Sequence, residues 1–431
     1  MKVAFYTLGC KVNQYDSRAL EELFRREGYE TVSFKDKADV YVINTCTVTG
    51  QSAGKSRRAV RRAVGANPDA VVAVVGCYSQ VAPEEIAAIP GVDIIVGTRE
   101  RSVLPQLVAA ARAKKAMINT VAPGDKPDEE FEELPWPEEA GRVRAFLKIQ
   151  EGCRDYCSYC IVPYARGKLK SMPPARVLKY TAAIAQKGYK EMVLTGTHLG
   201  AYGKDLSPSY NLARLLDEIA RNPCPERIRL SSLEPVDVTG ELLAAFETLP
   251  VLCHHLHIPL QSGSDFILKK MKRPYSLKEF SSLVDSIRQI DPDMALSTDI
   301  IAGFPGEQDS HFRETCAYIE ATGFSRLHVF KYSPRKGTPA AGYPGQVPGD
   351  VKEERSRYLR FLGDKLAAAY AARFVGRKLS VLVEKTLPAG GMEGLTEQYL
   401  RANLETAALK PGMIVPATIV ASKGSRLFGK L

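Results

Sequence analysis

Six of the nine cysteines fall into two triplets, and the two are built differently. Cys153, Cys157 and Cys160 lie in CRDYCSYC, a Cys-x3-Cys-x2-Cys loop that supplies three soft thiolates from one short segment. A cubane iron–sulfur cluster takes one ligand per iron, so three cysteines leave one iron open. Zinc competes for such a loop, but structural zinc usually takes four protein ligands. No fourth stands nearby in sequence, and His198 or His255 would have to supply it through space. Cys10, Cys46 and Cys77 are spread over the first eighty residues, yet each closes the same kind of run: VAFYTLGC, DVYVINTC and AVVAVVGC. If those β-branched runs are neighbouring parallel strands, all three thiolates emerge at one sheet edge. Two three-ligand metal sites are expected.

The elements that must position them divide the chain in three. Over residues 1–118 apolar strands alternate with helical stretches at 17–27, 56–64 and 84–88, the pattern of an open parallel α/β sheet. Ligands of such sheets collect at the carboxyl ends of the strands, where the three scattered cysteines lie. Residues 119–141 are acidic and proline-interrupted, with Asp125, Asp128, Glu129, Glu130, Glu132, Glu133, Glu138 and Glu139 around the single Trp136, and read as a linker.

Residues 142–369 carry six strand-like runs: RAFLKIQ, EMVLTGT, RIRLSSL, HHLHIPL, MALSTDIIAGF and RLHVFKYS. Helical patterns at 174–187, 212–221, 277–290 and 310–322 separate most of them, and Ser276 with Glu279 predicts a capping box. Six βα units predict a partial TIM barrel with its chemistry at the C-terminal ends of the strands. The CRDYCSYC loop follows the first of these strands, which favours the cluster over zinc. Residues 370–431 hold the short runs LSVLVE, YLRANLE and MIVPATIV and read as a small β-barrel. That segment has nine Lys or Arg against four Glu, half of the chain's net charge of +10. Such a basic barrel suits a nucleic-acid partner. No apolar run approaches the roughly 18 residues of a membrane span, and no export signal opens the sequence, so a reducing cytoplasm is expected.

Other motifs are weaker. GQSAGKS at 50–56 imitates a phosphate-binding loop but has three residues between its glycines where four are required. His255 and His257 share one strand face and read as a packed, hydrogen-bonded pair rather than ligands, with His254 beside them. Cys224, Cys253 and Cys316 lack partners at ligand spacing and read as small buried residues. Lys55, Arg58, Arg61 and Arg62 fall together after the second strand, as a solvated face or as phosphate contacts.

Taken with the barrel, CxxxCxφC with Tyr159 before its last cysteine resembles the radical S-adenosylmethionine superfamily. The upstream triplet and the basic C-terminal barrel narrow the resemblance to the methylthiotransferases, built from an N-terminal cluster domain, a radical barrel and a TRAM domain. TLGCKVNQYD, VLTGTHLGAYG and LHIPLQSGSDFILKKMKRPY are similar to the branch that acts on threonylcarbamoyladenosine in tRNA. The isopentenyladenosine branch tends to have Gln-Met-Asn after the first cysteine and the ribosomal-protein branch Pro-Lys-Asn; here the residues are Lys11, Val12 and Asn13. Asp16 stands where that family pattern has Glu, and Gly54 where it has a basic residue.

The resemblance implies two [4Fe–4S] clusters, S-adenosylmethionine, a 5′-deoxyadenosyl radical that abstracts the adenine C2 hydrogen, and a sulfur carried at the N-terminal cluster. It implies as partners a tRNA anticodon stem-loop, an electron donor and a sulfur source, with no membrane. It places cofactor contacts at Tyr159, Thr195, Gly196, Ser232, Glu234 and Gln261, and leaves Ser231, Ser262, Gly263, Asp299 and the GFPGE turn as barrel-mouth candidates. The other readings are methylthiolation of isopentenyladenosine or of a ribosomal protein, or a non-catalytic iron–sulfur RNA sensor.

Overall fold

The computed structural model describes residues 1–114, 116–122, 130–137, 143–388, 390–406 and 408–431. Two compact units cut across the chain order: Met1–Ala140 with Gln150–Ser171 and Ser333–Ala341, and Gly141–Ile149 with Met172–Tyr332 and Gly342–Leu431.

The first unit is an all-parallel six-stranded sheet. Lys2–Thr7 lies between Glu30–Val32 and Val40–Thr45, followed outward by Val71–Gly76, Ile94–Ile95 and Ile118–Asn119. Val40–Thr45 and Val71–Gly76 are buried along their whole length, as parallel strands covered on both faces must be. Register pairs Thr7 with Asn44 and Thr45 with Gly76, so three adjacent strands end level. Cys10, Cys46 and Cys77 follow those ends.

Helix Lys11–Arg26 begins at once after Cys10, six residues earlier than the predicted 17–27. Helix Gly50–Ala66 likewise starts early, capped by the Thr49 side chain accepting from the Ser52 backbone N–H at 3.2 Å. It therefore takes in all of GQSAGKS, which is helix and not a phosphate loop. Part of the acidic stretch is packed: Phe131, Leu134 and Trp136 are buried, and Glu132 binds Arg101. Asp125, Asp128, Glu129, Glu138 and Glu139 lie outside the described residues.

The second unit contains the partial barrel. Six runs form strands in the predicted order, Arg144–Glu151, Glu191–Gly196, Arg227–Leu230, His255–His257, Ala295–Ala302 and Arg326–Lys331. They form two ladders joined by the parallel bridges Ile228–Leu252 and Ser232–His257. The strand at His255 is short because Pro259, two residues on, has no N–H to donate. The Ser276–Glu279 capping box forms as predicted.

A 24-residue helix, Gly349–Ala372, leads into a closed five-stranded barrel: Lys378–Thr386, Met392–Thr396, Arg401–Leu404, Ile414–Lys423 and Arg426–Lys430. Its interior of Val381, Val383, Met392, Ala402, Ala417, Ile419 and Leu427 packs with Tyr370 of the helix and Phe374 just beyond its end. This barrel is fixed to the six-stranded one. Arg227 donates to Leu395 O and Ser380 Oγ, and Arg229 donates to Glu397 O and Thr396 O while pairing with the buried Glu191 at 2.8 Å.

Candidate functional site

The scattered triplet converges. Gly9 adopts φ +110°, and a Cβ there would stand 2.9 Å from Cys46 Cβ and 3.1 Å from Cys46 Sγ. Gly76 adopts φ +97°, and a Cβ there would lie 2.4 Å from Asn44 Oδ1 and 2.8 Å from Thr45 O. Only glycine fits either place, so each glycine lets the following cysteine approach its neighbour strand. Asn13 ties the turns together, its Nδ2 donating to Leu8 O at 2.8 Å and Thr45 O at 3.0 Å. Asn44 Nδ2 donates to Asn13 O and to Ser17 Oγ, both at 3.0 Å.

Cys46 and Cys77 are buried and Cys10 is exposed. Burial pushes the Cys77 thiol up to about 11 and raises Cys46, while the Arg166 guanidinium acts the opposite way on both. Three thiols around a glycine-lined cradle, with a cation beside them, fit a cluster that needs thiolates.

Arg166 was not singled out in the sequence, nor were Glu151 and Arg101. It ends the short helix Val162–Arg166 after the second triplet, is 3% exposed, and its charge favours the Cys77 thiolate. It also donates to Glu151 Oε1 and Asn13 Oδ1 and lies 3.3 Å from Asp16. Arg101 completes the network, 2.6 Å from Asp16, 2.7 Å from Glu132 and 3.3 Å from Glu151. Asp16, the departure from the family pattern, thus joins two buried arginines.

The compact triplet sits in a pinned loop. Gly152 at φ +81° has the Lys168 carbonyl where a Cβ would be. Cys153 N–H donates to Gly167 O at 3.1 Å, and Cys160 N–H donates to Cys157 O at 2.9 Å. Ser158 O accepts from Ala340 N–H at 2.8 Å, so residues 333–341 of the same unit brace the loop. Cys157 is buried, and Cys153, Cys160 and Tyr159 are half-buried. Three thiols on one tight loop fit a second cluster.

In the second unit the barrel-mouth candidates end consecutive strands. Thr195 is buried and Gly196 half-buried at the end of Glu191–Gly196. Ser232 and Glu234 follow Arg227–Leu230, with Glu234 ion-paired to Arg273. Gln261 takes φ +66° and extends the next ladder, its N–H donating to Asp299 O at 2.8 Å and its C=O accepting from Ile301 at 2.9 Å.

His255 and His257 do share a face, both meeting Ser297 Oγ, at 3.0 and 2.9 Å. Asp299 lies 3.2 Å from both His257 and His328. Burial would raise the Asp299 pKa, but these two histidines hold it well below the usual range. Cys253 is buried as expected, whereas Cys224 and Cys316 are only half-buried.

Residues 2–97 match the family described as Uncharacterized protein family UPF0004, and residues 147–319 match the Radical SAM superfamily. The chain is 43% identical over 423 residues to the threonylcarbamoyladenosine tRNA methylthiotransferase MtaB of Bacillus subtilis, covering 97% of this chain and 93% of that one. It is 37% identical over 437 residues to the tRNA-2-methylthio-N(6)-dimethylallyladenosine synthase of Cereibacter sphaeroides, covering 100% and 98%. The chain belongs to the radical S-adenosylmethionine methylthiotransferases.

This methylthiotransferase shares its fold with the radical S-adenosylmethionine methyltransferase TsrM of Kitasatospora setae, at a TM-score of 0.58 and 16% identity over 79% of this chain and 77% of that one. Enzymes of the family use S-adenosylmethionine and two [4Fe–4S] clusters. Among the described residues of this methylthiotransferase, no helix is long and apolar enough to cross a membrane.

Proposed function

We propose that this methylthiotransferase installs a 2-methylthio group on N6-threonylcarbamoyladenosine next to the anticodon of tRNA. The observation that carries the substrate is the 43% identity to the Bacillus subtilis enzyme named for it, against 37% to the dimethylallyladenosine relative. Lys11, Val12 and Asn13 after the first cysteine favour the same branch.

Cys10, Cys46 and Cys77 would hold one cluster, and Cys153, Cys157 and Cys160 the other. When bound, the clusters and S-adenosylmethionine supply one electron, hydrogen abstraction at an unactivated carbon, and the methylthio sulfur. The chain's own groups bind and orient. Gly9 and Gly76 admit the cysteines to a close cradle, and Asn13 holds their turns. Tyr159 flanks the last cysteine of the compact loop. Thr195, Gly196, Ser232, Glu234 and Gln261 offer polar groups to S-adenosylmethionine at the strand ends, Glu234 being oriented by Arg273.

The target base leaves its stack, which a single-stranded anticodon loop permits cheaply. Exposed Lys55, Arg58 and Arg61 meet phosphates, and exposed Lys378, Lys410 and Lys423 give the C-terminal barrel a basic face. Arg62 is spent on the rings of Tyr6 and Phe34. An electron donor and a sulfur source complete the partners, in the cytoplasm where tRNA resides. The domain layout is a cluster domain over 1–118, a linker over 119–141, a radical barrel over 142–369 and a TRAM barrel over 370–431.

The test is anaerobic turnover with S-adenosylmethionine, dithionite and anticodon stem-loops bearing either threonylcarbamoyladenosine or isopentenyladenosine. A methylthio mass gain on the first supports the proposal. A gain on the second alone overturns it.

A further inference from the structure

One arginine of the first unit links the two cysteine segments. Arg166 comes from the segment that closes the CRDYCSYC loop, yet its short helix packs against the helix Cys77–Val81, which begins at the last cysteine of the other triplet. Glu151, on the opposite flank of the same loop, accepts from Arg166 and from Arg101. Asn13 and Asp16, just past Cys10, receive the remaining Arg166 contacts. Arg166, on one flank of the cysteine loop, is therefore bonded to the helix that follows Cys10, and Glu151, on the other flank, is linked to it through Arg166 and Arg101.

The electrostatics make this contact consequential. A cluster held by Cys10, Cys46 and Cys77 brings three thiolates, two of them from buried positions. Buried anionic charge is tolerated only when paired and hydrogen-bonded. Arg166, itself buried, meets Asn13 and Asp16 on the helix that starts directly after Cys10, and Asn13 in turn bonds the carbonyl of Thr45 beside Cys46. Arg101 shares Asp16 and Glu151 with Arg166, but its third partner is Glu132, where that of Arg166 is Asn13 beside Cys10. The two arginines thus have separable roles, one structural and one facing the sulfur site.

We infer that Arg166 is the counter-cation of the Cys10–Cys46–Cys77 site, setting its charge and reduction potential from the loop that holds the second triplet. The inference rests on the reading of those cysteines as cluster ligands, and it makes Arg166 a positioning residue rather than a catalytic one. A fixed positive charge stabilises the reduced, more negative cluster, so it raises the potential for accepting one electron. Because the charge is delivered by the radical-cluster loop, any displacement of that loop alters the sulfur site.

The test uses the full-length chain with Cys153, Cys157 and Cys160 replaced by Ala, so that one cluster remains, reduced stepwise by dithionite and followed by electron paramagnetic resonance. R166M should shift the one-electron equilibrium at least tenfold toward the oxidised cluster, about 59 mV more negative. R166K should recover most of the shift, and R101M should leave the potential near that of the parent despite lowering stability. R166M combined with D16N guards against misfolding from an unpaired carboxylate, and should show the same direction of shift. An R166M protein that keeps its iron at an unchanged potential overturns the inference. So does loss of the cluster from R166M and R166K alike in folded protein, because charge would then not be the determinant. Absence of any cluster in the parent overturns the ligand reading, and this inference with it, whereas failure on threonylcarbamoyladenosine RNA leaves the potentials as measured.

Discussion

Arg101 donates to Asp16 at 2.6 Å, and neither side chain is more than 1% exposed. Arg101 also serves Glu132 and Glu151, so its removal leaves buried carboxylates short of a cation. Breaking a buried pair from one side costs about 3–5 kcal/mol. R101M is expected to lower the urea midpoint of the first unfolding transition accordingly. A loss below about 1 kcal/mol would show that water or Arg166 alone satisfies the network.

The cradle glycines give a second expectation. Alanine at Gly76 meets Asn44 Oδ1 and Thr45 O and forces a strained φ, a cost of about 1–3 kcal/mol. G76A should fold but bind about four irons per chain instead of about eight. Gly188 also has positive φ, at +83°, but nothing lies within 4 Å of a Cβ there. G188A should carry backbone strain alone and keep about eight irons. Full iron content in G76A would contradict the close-packed cradle.

A pH dependence follows from His254 and Asp291, 2.7 Å apart. The hydrogen bond to Asp291 raises the His254 pKa, and the same contact, against burial, lowers that of Asp291. The raised histidine stabilises the fold fully below its unfolded value and loses that contribution as pH rises through its folded value. The lowered aspartate contributes above its unfolded value and loses it as pH falls through its folded value. The pair therefore acts at mildly acidic pH. His254 is substantially exposed, so the effect stays within about 1 kcal/mol. H254N should melt below wild type at pH 5.5 and nearly with it at pH 9; equal deficits at both would contradict the ion pair.

Lys55, Arg58 and Arg61 are exposed along the helix that follows Cys46. If they meet tRNA phosphates, replacing all three by Gln should weaken binding at low salt. It should also reduce the slope of log K against log salt by about 0.7–0.9 per lost contact. An unchanged slope would assign these residues to a solvated face.

What was legible in the sequence was local or repeated. Three apolar runs ending in cysteine marked adjacent strands, and the Ser276–Glu279 spacing marked a helix start, because both signals span a few residues. The Arg101–Asp16–Arg166–Glu151 network was invisible because its partners are scattered along the chain and meet only through folding. GQSAGKS, whose spacing already excluded a phosphate loop, is the start of a helix. The two-residue strands Ile94–Ile95 and Ile118–Asn119 are too short for any alternation to register. In residues 130–137 the acidic composition masked Phe131, Leu134 and Trp136, which are buried because their neighbours, not their average polarity, decide the packing.

The most direct measurement is mass spectrometry of tRNA nucleosides from cells that lack this protein, complemented with wild type or with either cysteine triplet replaced by alanine. The account predicts unmodified threonylcarbamoyladenosine in the deletion strain, its 2-methylthio derivative with wild type, and none with either triplet removed. Undiminished 2-methylthio-threonylcarbamoyladenosine in the deletion strain, or restoration by a triplet variant, would contradict it.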